Sequence, residues 1–97
     1  MVFHVYILRC SDRSYYTGHT DRIEARLFAH KQGEIQGYTQ KRRPVSLVFA
    51  EEMPTREDAI AREGQIKGWS RAKKEALISG DWNQLVKLAQ SSSRTTN

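Results

Sequence analysis

The sequence predicts an α+β fold, a small three-stranded, mainly antiparallel sheet packed with helices, and three observations carry that prediction. Two β-rich stretches separated by a short turn open the chain and a third stands mid-chain. Stretches of helical period follow the second and third of these, giving the order β-β-α-β-α-α-α. Finally, 97 residues with 38% apolar and 28% charged content suffice for one core, not two. One domain is expected over residues 1–90. Residues 91–97, small and polar throughout, read as a disordered tail.

Residues 2–9, Val-Phe-His-Val-Tyr-Ile-Leu-Arg, are rich in β-branched and aromatic types, and Ser11-Asp12-Arg13-Ser14 supplies turn chemistry. Tyr15 to His19 continues as the second strand of a hairpin, after which Thr20 or Asp21 can cap a helix over about Asp21 to Gln32. That helix repeats apolar residues at Ile23, Leu27 and Phe28, and Gly33 can end it in a left-handed conformation. From Gly33 to Pro44 the chain is polar and without period, as expected of an exposed loop. Val45 to Ala50 forms the third strand. Thr55, three residues before Asp58, heads a helix running to about Trp69, and Ser70 restarts one over residues 71–79. Beyond Gly80-Asp81, the apolar stripe Trp82, Leu85, Val86 and Ala89 predicts a short last helix.

No apolar run approaches the roughly 18 residues of a membrane span, and the N-terminus lacks the order of a secretory signal. A single cysteine, Cys10, has no partner within the chain, which fits a reducing cytoplasm and makes Cys10 a strand residue. Sixteen basic against eleven acidic residues give a net charge of +5. Eight basic and four acidic residues fall in residues 1–48, so the first half builds the more anion-attracting surface. His4, His19 and His30 lack clustered spacing, and with no cysteine pair a structural zinc is not expected.

Helical spacing exposes the informative polar residues. Ile23, Arg26, Leu27 and His30 share a face, so an arginine and a histidine flank the stripe that should meet the sheet. On the second long helix Glu63 lies among Ala59, Ile60 and Ile66. Two arrangements satisfy these charges: Arg26 and Glu63 pair with each other, or both face a partly enclosed cavity that holds an anion and a cation. Taken singly, either residue can simply extend its charged end into water.

The order of residues sharpens this. Val5-Tyr6-Ile7, Tyr16-Thr17-Gly18, Arg26, His30, and Glu63 within Arg62-Glu63-Gly64-Gln65-Ile66-Lys67 together resemble the GIY-YIG nuclease superfamily over about Val2 to Ile78. Arg42-Arg43-Pro44-Val45 and Ile66-Lys67-Gly68-Trp69 resemble its short, free-standing bacterial members. The resemblance implies a GIY-YIG-like fold, with Tyr6 and Tyr16 as the motif tyrosines, Gly18 the motif glycine, Arg26 the helix arginine, Glu63 the metal-binding glutamate, and His30 at a position often held by His or Tyr. His4 replaces the first motif glycine, Thr17 the middle isoleucine, and His19 follows Gly18 where some members have lysine.

The activity implied is hydrolysis of DNA phosphodiesters with one Mg²⁺ or Mn²⁺ held by Glu63, which is sufficient because Mg²⁺ keeps most of its waters. In that scheme Arg26 binds the scissile phosphate through its planar fork. Tyr6 or Tyr16 takes the proton of the attacking water with a lowered pKa, and His30 is a spare base or phosphate donor. Both tyrosines must then share a sheet face. A symmetric Asp12-Arg13 turn would pair Tyr6 with His19 and turn Tyr16 away, so a loop of odd length or a bulge is predicted. Lys41, Arg42, Arg43, Lys67, Arg71, Lys73 and Lys74 are candidate phosphate contacts, and Tyr15, Tyr38, Trp69 and Trp82 candidate stacking rings, the tryptophans being better suited to a core. Larger relatives add DNA-recognition domains with no counterpart here, so specificity is expected to be low or supplied by a protein partner. A nucleic-acid-binding module with little turnover of its own is the alternative, and a protein-interaction domain leaves Arg26 and Glu63 unexplained.

Overall fold

The computed structural model describes residues 2–81. The helix expected around Trp82, the domain boundary at residue 90 and the tail from residue 91 lie outside the described residues. The chain groups into two compact units, residues 1–67 and 68–97.

The first unit holds strands β1 (Phe3–Arg9), β2 (Tyr15–Thr20) and β3 (Ser46–Met53) with helices α1 (Ile23–Gln32) and α2 (Arg56–Lys67). The strands form one antiparallel sheet in the order β2-β1-β3. As the central strand, β1 is covered on both faces, and Val5, Tyr6, Ile7 and Leu8 are all buried. This is why its sequence reads as a continuous apolar run rather than an alternation. Ile23 and Leu27 of α1 pack on the face carrying Tyr6 and Leu8. α2 lies against β1 and β2 and buries Ala59 and Ile66.

β1 and β2 pair Tyr6 with Gly18 and Leu8 with Tyr16. The turn between them is of odd length, as the shared face requires: the Cys10 N–H donates to the Ser14 carbonyl, enclosing Ser11, Asp12 and Arg13. Arg13 takes the left-handed conformation (φ 69°) that such a three-residue turn demands at its last position. The Asp12 carboxylate, accepting from the Ser14 N–H and hydroxyl, braces it. Cys10, free and buried, sits one residue beyond β1. A second irregularity, a bulge at Val48, shifts the β1–β3 register between Ile7 and Leu8.

Three local expectations are corrected. α1 begins two residues later than predicted, with Arg22 at the N-cap and no side-chain cap, because Thr20 Oγ1 is already committed to the Arg22 N–H (3.0 Å) as a turn. Phe28 and Ile60, placed in the apolar stripes, are 60% and 50% exposed. In each case the helix presents a narrower face to the sheet, and Phe28 falls one residue past Leu27 on the outer side. The polar loop is also less irregular than predicted: Gln40–Arg42 forms a 3₁₀ turn, and β3 runs on to Met53.

Helix ends follow the capping logic. The Asp58 N–H donates to Thr55 Oγ1 (3.1 Å), and Gly33 ends α1 at φ 77°. The second unit contains α3 (Arg71–Ser79), with the Lys73 N–H bonded to Ser70 at the N-cap and Gly80 in the left-handed conformation at its end. Among the described residues no helix is long and apolar enough to cross a membrane.

Candidate active site

Beside the edge strand β2 lies a cavity of about 320 Å³ lined by Tyr6, Tyr16, Gly18, His19, Thr20, Asp21, Arg26, Arg56 and Glu63. It draws on both faces of the sheet. Tyr6 and Tyr16 project on the α1 side, whereas His19, one residue past Gly18, projects toward α2 and Glu63. An edge strand can serve both sides because no further strand walls it off. Gly18 makes the meeting close: a Cβ there would lie 2.6 Å from the Tyr6 hydroxyl and 3.2 Å from the Tyr16 ring.

On the α1 side the cavity has exposed Arg26 at its edge, and inward of it a neutral, buried cluster of Tyr6, His30 and Thr39. The Tyr6 hydroxyl lies 2.9 Å from His30 Nε2, and His30 Nδ1 lies 2.8 Å from Thr39 Oγ1. Both imidazole nitrogens are thus paired. Burial pushes the Tyr6 hydroxyl far above its ordinary pKa, with Tyr16 adding to the effect and Arg26 opposing it. The lowered tyrosine pKa expected of a base is therefore not found at Tyr6: the nearby arginine acts in the expected direction but is outweighed by desolvation. Burial, then the Arg26 charge, holds His30 below its ordinary value and hence neutral at pH 7. The rings pack at a tilt, with centroids 6.4 Å apart for Tyr6–Tyr16 and 5.3 Å for Tyr16–His30.

The α2 side is charged. Glu63, its side chain 17% exposed, receives His19 Nδ1 on Oε1 at 2.5 Å and Lys67 Nζ on Oε2 at 2.6 Å. Burial opposes ionisation, but the Lys67 and His19 hydrogen bonds outweigh it and keep the carboxyl below its ordinary pKa. Glu63 raises Lys67 in return. Arg26 and Glu63 line one cavity, and Glu63 pairs with His19 and Lys67 rather than with Arg26.

Arg56 was not anticipated, although it stands seven residues before Glu63 and so on the same helical face. Its guanidinium rests 4.9 Å from the Phe3 ring centroid, and the residue lines the cavity. Thr39 had no signal in the sequence, since a threonine in a polar loop gives no sign that its hydroxyl will be buried on a histidine. The basic triplet is only partly free: Arg42 pairs with Asp12 at 3.0 Å and Arg43 bonds the Gln40 carbonyl at 3.1 Å, while Lys41 is exposed. Arg71, Lys73 and Lys74 belong to the second unit, where Arg71 pairs with Glu75 and Lys73 lies 4.4 Å from the Trp69 ring centroid.

No group of three or more His, Cys, Asp or Glu suited to a metal occurs among the described residues. One ionised carboxylate beside a roomy polar cavity fits a hard divalent cation that retains its waters.

Comparison with known proteins gives the family and the fold. Residues 2–76 match the model of the GIY-YIG catalytic domain. A UPF0213 protein of Staphylococcus saprophyticus is 46% identical over 76 residues, covering 78% of this chain and 93% of its own. A UPF0213 protein of Natronomonas pharaonis is 44% identical over 78 residues, covering 80% and 92%. Two solution NMR structures share the fold: the UPF0213 protein BH0048 of Bacillus halodurans, 42% identical with a TM-score of 0.54 over 81% of this chain and 84% of that one, and EF2693 of E. faecalis, 35% identical with 0.58 over 82% and 85%. With a match across most of its length, relatives above 40% identity and the motif residues gathered at one cavity, the chain belongs to the GIY-YIG family, among its UPF0213 members.

Proposed function

We propose that this domain hydrolyses phosphodiester bonds in DNA as a divalent-metal-dependent endonuclease of low intrinsic sequence specificity. The observation that carries this is one cavity holding Arg26 and Glu63 unpaired with each other, beside Tyr6 and Tyr16. An anion and a cation are the natural occupants of such a space. Arg26 orients the scissile phosphate through its planar fork, and Arg56 receives a flanking phosphate. Glu63 holds the cation, Mg²⁺ or Mn²⁺, which when bound supplies charge stabilisation for the leaving oxygen.

Tyr6 and His30 form a proton relay in this scheme. In the tautomer protonated on Nδ1, His30 donates to Thr39 Oγ1 and accepts from the Tyr6 O–H. Tyr6 need not exist as a free phenolate, which burial disfavours: it takes a proton from the attacking water as it passes its own to His30 Nε2. Tyr16, half-buried against the same space, positions the water or phosphate. His19 keeps Glu63 ionised and oriented, as an outer partner does for a metal-binding carboxylate. Lys67, 55% exposed, is the mobile partner that turns from Glu63 to the substrate phosphate. A reducing cytoplasm suits the free Cys10. Sequence specificity is low, or is supplied by a protein partner.

A second assignment, a nucleic-acid-binding module with little turnover, is favoured by one feature: both Glu63 oxygens already hold nitrogen donors, with which a cation has to compete. Plasmid, single-stranded and branched DNA incubated with Mg²⁺, Mn²⁺ or chelator separate the two. Nicking that needs the divalent ion and disappears in Glu63→Ala and Arg26→Ala supports the nuclease. Salt-sensitive binding with no cutting on any substrate supports the module.

A further inference from the structure

The rings of the cavity do not end at its rim. Tyr16 stacks on Tyr38, with centroids 6.2 Å apart and planes 26° from parallel, and the Arg42 guanidinium lies 3.8 Å from the Tyr38 centroid. Arg42 is held there at both ends of its fork, Nε donating to Asp12 Oδ2 at 3.0 Å and one terminal nitrogen to the Tyr38 carbonyl at 2.9 Å. The loop beneath is equally tied down: the Ser11 N–H donates to the Arg42 carbonyl at 2.9 Å, and Thr39 is buried on His30. Tyr38 itself is 40% exposed. A ring pinned by Arg42 and by the buried Thr39 next to it, yet held at the surface, is not serving a core. Its ordering entropy has already been spent in the free protein, which is what a preorganised binding surface requires.

We propose that Tyr38 and Arg42 form a stacking subsite for an unpaired nucleobase, that of a nucleotide adjoining the one whose phosphate lies against Arg26. Aromatic rings and guanidinium planes stack on any base face, so such a subsite selects exposed bases without reading sequence. Within an intact duplex each base face is covered by its neighbours, so the subsite selects strands with unpaired nucleotides near the cut: single strands, flaps and frayed ends. Lys41, exposed on the same 3₁₀ turn, adds positive charge for the backbone that carries the base. The inference rests on nucleic acid being the substrate of the neighbouring cavity.

The test is fluorescence anisotropy on the full chain in chelator, with a short single strand, the same sugar–phosphate chain made wholly abasic, and a blunt duplex. Wild type is compared with Tyr38→Phe, which keeps the ring, and Tyr38→Leu, which keeps apolar bulk, with thermal melting as the check of folding. Wild type and Tyr38→Phe should bind the single strand about tenfold more tightly than the abasic chain. Tyr38→Leu should bind both alike, with its salt dependence unchanged. Equal binding of the two strands by wild type, or a base preference that survives in Tyr38→Leu, overturns the subsite. Because no divalent ion is present, the result is independent of cleavage. Base preference without nicking would retire the nuclease and keep the subsite, nicking without base preference would do the reverse, and no binding to any strand would overturn both.

Discussion

The two walls of the cavity are built on opposite principles. On the α1 side, Tyr6 lines the cavity, and His30 and Thr39 continue from it in one buried, neutral chain of hydrogen bonds. On the α2 side, the Glu63 carboxylate is held by His19 and Lys67, all three at least partly exposed, and Lys67 is a long side chain more than half in water. The first wall is costly to disturb, because any group that loses its partner stays desolvated. The second is cheap to rearrange, because water replaces what is lost. The proposed hydrolysis needs both: fixed geometry where a proton moves, and an exchangeable site where a cation arrives.

The largest break in this contrast should come from Glu63→Gln, which keeps the shape of the charged wall but removes its charge. Nicking should fall about 10³-fold while the melting temperature barely moves, read by plasmid relaxation beside thermal denaturation. A large loss of stability would show that the charged wall carries the fold after all.

Changes to the neutral wall should do the opposite. Thr39→Val leaves His30 Nδ1 buried without a partner and should cost about 1–3 kcal/mol, measured by urea denaturation. Gly18→Ala should cost about as much, roughly 1–3 kcal/mol, since the added Cβ meets the Tyr6 hydroxyl and forces the ring off His30. If Gly18→Ala keeps full stability and activity, Tyr6 is not held where its hydrogen bond places it.

Acid should also act on the neutral wall. His30 has a lower pKa folded than unfolded, so the unfolded chain binds its proton more readily. The sign follows: stability is full above the ordinary histidine value of about 6.5 and declines as the pH falls from there toward the folded value. Denaturation midpoints across this window should slope in wild type and flatten in His30→Gln.

The smallest effect sharpens the contrast from the other side. Lys67→Met frees Glu63 Oε2 of an exposed ion pair worth about 0.2–1 kcal/mol, so Mn²⁺ affinity in the absence of DNA should rise up to about fivefold, by calorimetry or electron paramagnetic resonance. Unchanged affinity would mean that Lys67 does not compete for the carboxylate.

Much of this was legible in the sequence by itself. Local chemistry set the strand–turn–strand opening, the Thr55 and Ser70 caps and the Gly33 and Gly80 stops, because each depends on residues within one turn of one another. Face-sharing placed Arg26 and His30 on one helix and Glu63 on another, and the need for two tyrosines on one side called for an odd turn, which Arg13 completes at φ 69°. What no local pattern held was which distant groups would meet. Only the tertiary structure decided that Arg26 and Glu63 share a cavity rather than each other, that His30 is clasped between Tyr6 and Thr39, that Glu63 is held by His19 and Lys67, and that Tyr38 extends the ring series to the surface. Those pairings span the chain, and hydrogen bonds and ion pairs depend on ångström distances that residue type and spacing do not encode. The GIY-YIG motif residues were written in the sequence, and the division of their cavity into one fixed wall and one exchangeable wall was decided by burial.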